Sequence, residues 1–220
     1  MNYFVTGTDT GVGKTLISCA LLHGLAARGK RVVGMKPVAA GGDAGGRNDD
    51  VLRLRSAGNV AVKYGEMNPY YFPQAVAPHI AAQCAGVIIQ FSRIAKCYQE
   101  LAAQTEVVIV EGVGGFCVPL NAQQDSADLV QELGLPIILV VGMRLGCLNH
   151  ALLTVEAITA RDLTLAGWVA NVVEADMPMV EENIAALQQR ITAPLLGIVP
   201  YLPRANALVV AGQLDLDRLG

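Results

Sequence analysis

Gly7-Thr8-Asp9-Thr10-Gly11-Val12-Gly13-Lys14-Thr15 follows the apolar run Tyr3-Phe4-Val5-Thr6 and leads into an apolar segment closed by Gly29. A glycine-rich turn ending in Lys-Thr, with a strand before it and a helix after it, is the signature of a phosphate-binding loop. The residue types fit that chemistry. Glycines let backbone N–H groups approach phosphate oxygens closely. The helix that follows starts with unpaired N–H groups and the positive end of its dipole. On this reading Gly11, Val12 and Gly13 form the nucleotide cradle. Lys14 reaches the β- and γ-phosphates, and the Thr15 hydroxyl binds Mg²⁺. The spacing is irregular: the standard loop needs glycine at position 8, whereas here Thr8 stands there and the glycine is Gly7.

Outward from the loop, strand-like and helix-like segments alternate. Strands are expected near 2–6, 31–36, 106–111, 136–142, 164–171 and 195–198. Helices are expected near 14–28, 49–56, 88–103, 125–133, 148–161 and 179–191. In the third of these helices Phe91, Ile94, Tyr98 and Leu101 recur on one face. This alternation predicts an α/β fold, a doubly wound, mostly parallel sheet of the P-loop kind with helices on both faces, as a single domain over 1–220. The glycine-rich stretch 37–48 reads as a long loop of the functional sort. The stretch 64–80, with Pro69, Pro73 and Pro78, reads as irregular.

Composition narrows the function. Over half the residues are hydrophobic and only 16% are charged, as buried parallel strands require. The net charge is −3 with no basic run, so nothing offers the positive stripe that nucleic acid demands. No apolar stretch approaches the roughly 18 residues of a membrane span. The N-terminus shows no signal-peptide pattern, and the five cysteines are scattered without a CxxC pair. The expectation is a cytoplasmic protein with reduced thiols.

Three strand ends carry polar residues. Glu111 ends Val107-Val108-Ile109-Val110, beside a glycine-rich turn. In an open α/β sheet that edge is where ligands bind, and a carboxylate there suits a hard cation such as Mg²⁺. Lys36 ends Val32-Val33-Gly34-Met35 on the same edge. Asn171 follows Trp168-Val169-Ala170, where its amide suits either an adenine edge or a local turn.

With these residues in view, the chain resembles the dethiobiotin synthetase family. The likeness rests on Val5-Thr6-Gly7-Thr8-Asp9-Thr10 with Val12-Gly13-Lys14-Thr15, including the extra loop residue. In order along the chain it continues through Lys36-Pro37-Val38, Arg47-Asn48-Asp49-Asp50, Val110-Glu111-Gly112-Val113-Gly114-Gly115, Gly146-Cys147-Leu148-Asn149-His150-Ala151 and Gly167-Trp168-Val169-Ala170-Asn171. The resemblance implies an enzyme that closes the ureido ring of dethiobiotin from 7,8-diaminopelargonic acid, CO₂ and ATP with Mg²⁺. It also implies a homodimer with its site at the subunit interface.

Roles carried over by resemblance are as follows. Asp50 would join Thr15 and Glu111 as a metal ligand; Asp49 beside it suits a helix N-cap, and spacing does not separate the two. Lys36, Lys14 and Thr10 would serve catalysis, with Lys36 and Thr10 near the carbamate. Glu111, Gly114, Asn171, Pro200 and Tyr201 would contact ATP. Gly146, Cys147 and Asn149, at a helix start, would hold the substrate's acid tail in a neighbouring subunit, with Asn149 as a cap. Two positions depart from the pattern: Gly11 and Ala40 stand where some relatives carry glutamate and serine. The rival reading is a regulatory ATPase of the partitioning kind, which shares the fold. This chain lacks that group's second lysine at the loop's start, a basic surface signature and an amphipathic C-terminal anchor.

Overall fold

The computed structural model describes residues 1–42 and 45–219. The main sheet has strands β1 (Tyr3–Gly7), β2 (Val32–Met35), β5 (Val107–Glu111), β6 (Ile137–Met143), β7 (Leu165–Val172) and β8 (Leu195–Val199). Between them in the chain, β3 (Val38–Ala40) and β4 (Tyr70–Phe72) form a separate parallel pair. The helices are α1 (Lys14–Ala27), α2 (Asp49–Ala57), α3 (Tyr64–Met67), α4 (Pro78–Cys84), α5 (Phe91–Gln104), α6 (Ser126–Leu133), α7 (Cys147–Thr159), α8 (Val180–Gln188) and α9 (Ala207–Ala211). A 3₁₀ turn follows at Leu216–Arg218.

The main-sheet strands run parallel in the order β2-β5-β1-β6-β7-β8. The chain therefore winds away from β1 in both directions, through β5 and β2 on one side and β6, β7 and β8 on the other. This is the doubly wound sheet expected from the alternation. Every residue of β1, β2, β5 and β6 is buried, which is why those strands read as unbroken apolar runs. Alternate residues of β6 serve opposite faces. Ile138 and Val140 join the cluster that holds Ile17 and Leu21 of α1. Leu139 and Val141 join Trp168 and the apolar sides of α7 and α8.

The differences from the sequence reading have local causes. The stretch 37–48 contains β3, and 64–80 contains α3, β4 and the start of α4. These pieces are too short for a periodic signal. Asn68 ties them to the main sheet, donating its side-chain N–H to the Lys36 carbonyl at 2.6 Å and to that of Tyr70 at 3.0 Å. The helix expected from 88 begins at Phe91, because α4 ends in a turn with Gly86 at φ +65°. Of its expected apolar face, Phe91, Ile94 and Leu101 are buried and Tyr98 is half-buried against the core. At the C-terminus, α9 packs on α1, an element without a clear sequence signal.

Candidate active site

The carboxyl ends of β1, β2 and β5 are neighbours in the sheet, and each delivers one functional segment. From β1 the chain enters the phosphate loop. Gly11 and Gly13 adopt φ of +75° and +92°, conformations that only glycine takes without strain. Gly13 has a second constraint: a Cβ there would lie 2.2 Å from Asn171 Nδ2. Gly7 is equally tight, since a Cβ would meet the Val12 side chain at 2.5 Å. The extra residue, Thr8, is stitched to β6: its N–H donates to the Val140 carbonyl at 3.0 Å, and its hydroxyl accepts from Gly142 N–H at 3.3 Å. The irregular spacing is thus accommodated in ordered backbone. Val12 itself is a core residue, and the loop uses its backbone.

Lys14 is buried and donates Nζ to two backbone carbonyls, Asp9 at 2.9 Å and Gly114. Burial first, and the Lys36 charge second, push its pKa down to about 8.

Lys36 follows β2. Its Nζ lies 2.6 Å from Glu111 Oε1 and 2.8 Å from Asp50 Oδ2. Burial works against the ammonium, but the two carboxylates outweigh it and hold its pKa above the ordinary lysine value. Asp50 responds in the opposite sense. Burial opposes its charge, yet Lys36 prevails and holds the carboxyl below its usual range. Glu111 also accepts from the Thr15 hydroxyl at 2.7 Å, while its Oε2 is buried without a hydrogen-bond partner.

Asp50 reaches this cluster from the first turn of α2. The cap of that helix is Asn48, whose Oδ1 accepts from Asp50 N–H at 3.0 Å and Val51 N–H at 3.3 Å. Asp49 is exposed. Of the two aspartates, Asp50 faces Lys36, and neither is the helix cap. Asn48 was readable as a helix start, being a preferred cap residue directly before the helix.

Thr15, Asp50 and Glu111 offer a hydroxyl and two carboxylates at one place, and one carboxylate oxygen is buried and unsatisfied. Such a donor set fits a hard divalent cation that completes its shell with water and phosphate oxygens. Among the described residues no group of three or more His, Cys, Asp or Glu could hold an ion by itself.

Around these groups lies a cavity of about 800 Å³. Thr10, Gly11, Gly13, Lys14, Thr15, Lys36, Ala40, Asp50, Glu111 and Gly114 all line it. Asn171 stands beside the loop and donates Nδ2 to the Val12 carbonyl at 2.8 Å. That bond commits part of its amide to holding the loop. Pro200 and Tyr201 follow β8 and are exposed, away from this cavity's walls. Gly146, Cys147 and Asn149 also lie outside those walls. Gly146 is the N-cap of α7, at φ +93°, and Cys147 is buried. Asn149 is exposed within the first turn, so it does not cap the helix as expected; a backbone turn at Gly146 already occupies that position.

Sequence reasoning missed one ion pair here. Arg144, after β6, donates to Asp9 of the phosphate loop. No local pattern links residues 135 positions apart.

An AAA domain family profile matches residues 1–208. An ATP-dependent dethiobiotin synthetase BioD from Nitrosospira multiformis is 54% identical over 99% of this chain and 96% of its own length. One from Aromatoleum aromaticum is 54% identical over 97% of this chain and 96% of its own. Among solved structures, the MinC:MinD cell division complex of Aquifex aeolicus superposes with a TM-score of 0.60 at 15% identity, covering 99% of this chain and 93% of the matched one. That last likeness is one of fold alone.

Proposed function

The chain belongs to the ATP-dependent dethiobiotin synthetase family, and from that membership we propose how its own residues close a ureido ring on 7,8-diaminopelargonic acid with CO₂, ATP and Mg²⁺. The observation that carries the reading is the convergence of Lys14, Thr15, Lys36, Asp50 and Glu111 on one cavity at the carboxyl ends of β1, β2 and β5. The partitioning-ATPase reading rests only on fold likeness at 15% identity, which relatives at 54% outweigh.

Gly11, Val12 and Gly13 present backbone N–H groups to the triphosphate, and Lys14 exchanges its carbonyl partners for phosphate oxygens. Asn171 braces the loop from the side where the adenine binds, with Gly114, Pro200 and Tyr201 as further nucleotide contacts. Thr15, Asp50 and Glu111 hold Mg²⁺. When bound, the ion neutralises charge developing on the phosphates.

The reaction proceeds through the substrates themselves. One amine of the diamine attacks CO₂ and loses a proton, giving a carbamate. A carbamate oxygen attacks the γ-phosphorus, the bond to the bridging oxygen breaks and ADP leaves. The second amine attacks the carbonyl carbon of the resulting carbamic–phosphoric anhydride, expels phosphate and loses a proton as the ring closes. Lys36 holds the carbamate and stabilises negative charge during phosphoryl transfer, with the Thr10 hydroxyl beside it. Ala40 lines the diamine site. The protein acts mainly by holding reactants together, which can supply several kcal/mol of barrier lowering.

The acid tail of the diamine is assigned to Gly146, Cys147 and Asn149 of a second copy, in a homodimer. Two observations support this. The start of α7 stands outside the walls of its own chain's cavity, and Leu145 beside it is 95% exposed, with Leu153 on the same helix at 55%. Exposed apolar groups of that size suit a subunit contact. The location proposed is the cytoplasm; among the described residues no helix is long and apolar enough to cross a membrane.

Phosphate release from Mg-ATP and bicarbonate, measured with and without the diamine, tests the reading. Strict dependence on the diamine supports it. Equal release without diamine rejects it in favour of a regulatory ATPase.

A further inference from the structure

The phosphate loop carries a negative charge of its own. Asp9 lies within the loop, lines the cavity and acts electrostatically on Lys14. A triphosphate in this cradle brings further negative charge to the same place, and like charges brought together oppose binding. Arg144 answers that problem. Its guanidinium donates to Asp9 Oδ2, while Asp9 Oδ1 accepts from Thr10 N–H at 2.7 Å. Both carboxylate oxygens are thereby engaged.

Lys14 donates to the carbonyls of Asp9 and Gly114, not to the Asp9 carboxylate. The distinction matters for an incoming phosphate. Carbonyl dipoles yield readily to an anion, whereas a carboxylate partner would compete with it for the ammonium. Arg144 is itself held at the base of α7, where its carbonyl accepts from Cys147 N–H at 3.0 Å.

We infer that Arg144 is a positioning residue for the nucleotide: it masks the Asp9 carboxylate, so that the loop presents positive charge and Lys14 stays available to the phosphates. The inference rests on the reading of this loop as the nucleotide cradle. It adds a group from the β6–α7 connection to a site centred on the carboxyl ends of β1, β2 and β5.

The test compares the unmodified protein with R144A, R144K, D9N and the double variant D9N/R144A. ATP affinity is read by calorimetry, and KM and kcat by diamine-dependent phosphate release. R144A should weaken ATP binding about tenfold or more, with kcat at saturating ATP within about threefold of the parent. R144K should retain most of the affinity. D9N/R144A should bind ATP within about threefold of D9N, because no carboxylate is left to mask.

A brace that merely shapes the loop gives a different pattern: the double variant stays as weak as R144A, and that result overturns the proposal. Unchanged ATP affinity in R144A overturns it as well. Where R144A does not fold, the double variant decides alone, supporting the proposal if it folds and binds ATP like D9N and overturning it if it folds and does not. An unmodified protein that binds no nucleotide defeats the reading of the site itself, a failure visible before any variant is made.

Discussion

Lys36 Nζ stands 2.6 Å from Oε1 of Glu111, a residue whose side chain has no exposed surface. The same ammonium holds Asp50 at 2.8 Å. One cation thus keeps two carboxylates together at the spot where a divalent ion is proposed to bind. Removing one partner of a buried pair leaves the other uncompensated, which costs about 3–5 kcal/mol.

Lys36→Ala is therefore expected to do two separable things. Turnover should fall at least about a hundredfold, the scale of a lost charge-stabilising group, while ATP affinity stays within about threefold. The variant should also unfold at lower temperature, and Mg²⁺ should restore part of the loss by supplying the missing positive charge. Trp168, the sole tryptophan and fully buried, reports unfolding by fluorescence. Unchanged turnover removes Lys36 from the catalytic set.

Asp49 and Asp50 differ by one position and point to different fates. Asp50→Ala should raise the Mg²⁺ requirement for half-maximal activity about tenfold or more, in line with the loss of a metal ligand or its support. Asp49→Ala, at an exposed position, should change it less than about twofold. Titrating activity against Mg²⁺ in both variants decides the matter; equal effects would contradict the assignment of Asp50.

Asn48→Ala should cost about 1 kcal/mol of stability through the lost helix cap. It also loses the bond from its Nδ2 to the Gly41 carbonyl at 2.6 Å, loosening the segment that carries Asp50. Thermal unfolding should show the first effect and the Mg²⁺ requirement the second. A variant that unfolds earlier but needs no extra Mg²⁺ would separate the cap from the site.

Lys14 gives a pH dependence with a definite sign. Its pKa of about 8 in the folded chain lies below the ordinary 10.5. Between those values the unfolded chain binds more protons, so this group's contribution to folding stability rises with pH across that window and is smallest below it. Nucleotide binding runs the other way, since phosphates need the charged ammonium. ATP affinity should weaken as pH rises past about 8, and binding there should take up a proton. Calorimetry in two buffers of different ionisation enthalpy measures that uptake; a proton count of zero above pH 8 refutes the assignment.

Much of this was readable in the chain because the decisive signals are local. The phosphate loop is one uninterrupted phrase between a strand and a helix, and parallel-sheet topology puts strand ends on one edge, which is where Lys36 and Glu111 meet. The choice between Asp49 and Asp50 was not readable, because it depends on how α2 is rotated about its axis once Asn48 has capped it. The β3–β4 pair was hidden for a different reason: each strand has three residues and is held by Asn68 and its neighbours, not by a periodic pattern. Arg144 and Asp9 were legible as charges but not as a pair, since only the adjacency of β1 and β6 brings them together. The likeness of Asn149 to a cap failed because a glycine in the left-handed region needs no side chain to start a helix there.

The insertion of β5 between β1 and β2 bears on how the protein is made. The phosphate loop and Lys36 leave the ribosome early, but the strand that separates and aligns them begins only at Val107. Until it arrives, the first two strands have no shared partner, and Lys36 lacks the acidic group that anchors it most deeply. A nascent chain shorter than this can hold every glycine of the cradle and still have no assembled centre. Competence should therefore emerge abruptly during synthesis, when the third strand of that half slots into place.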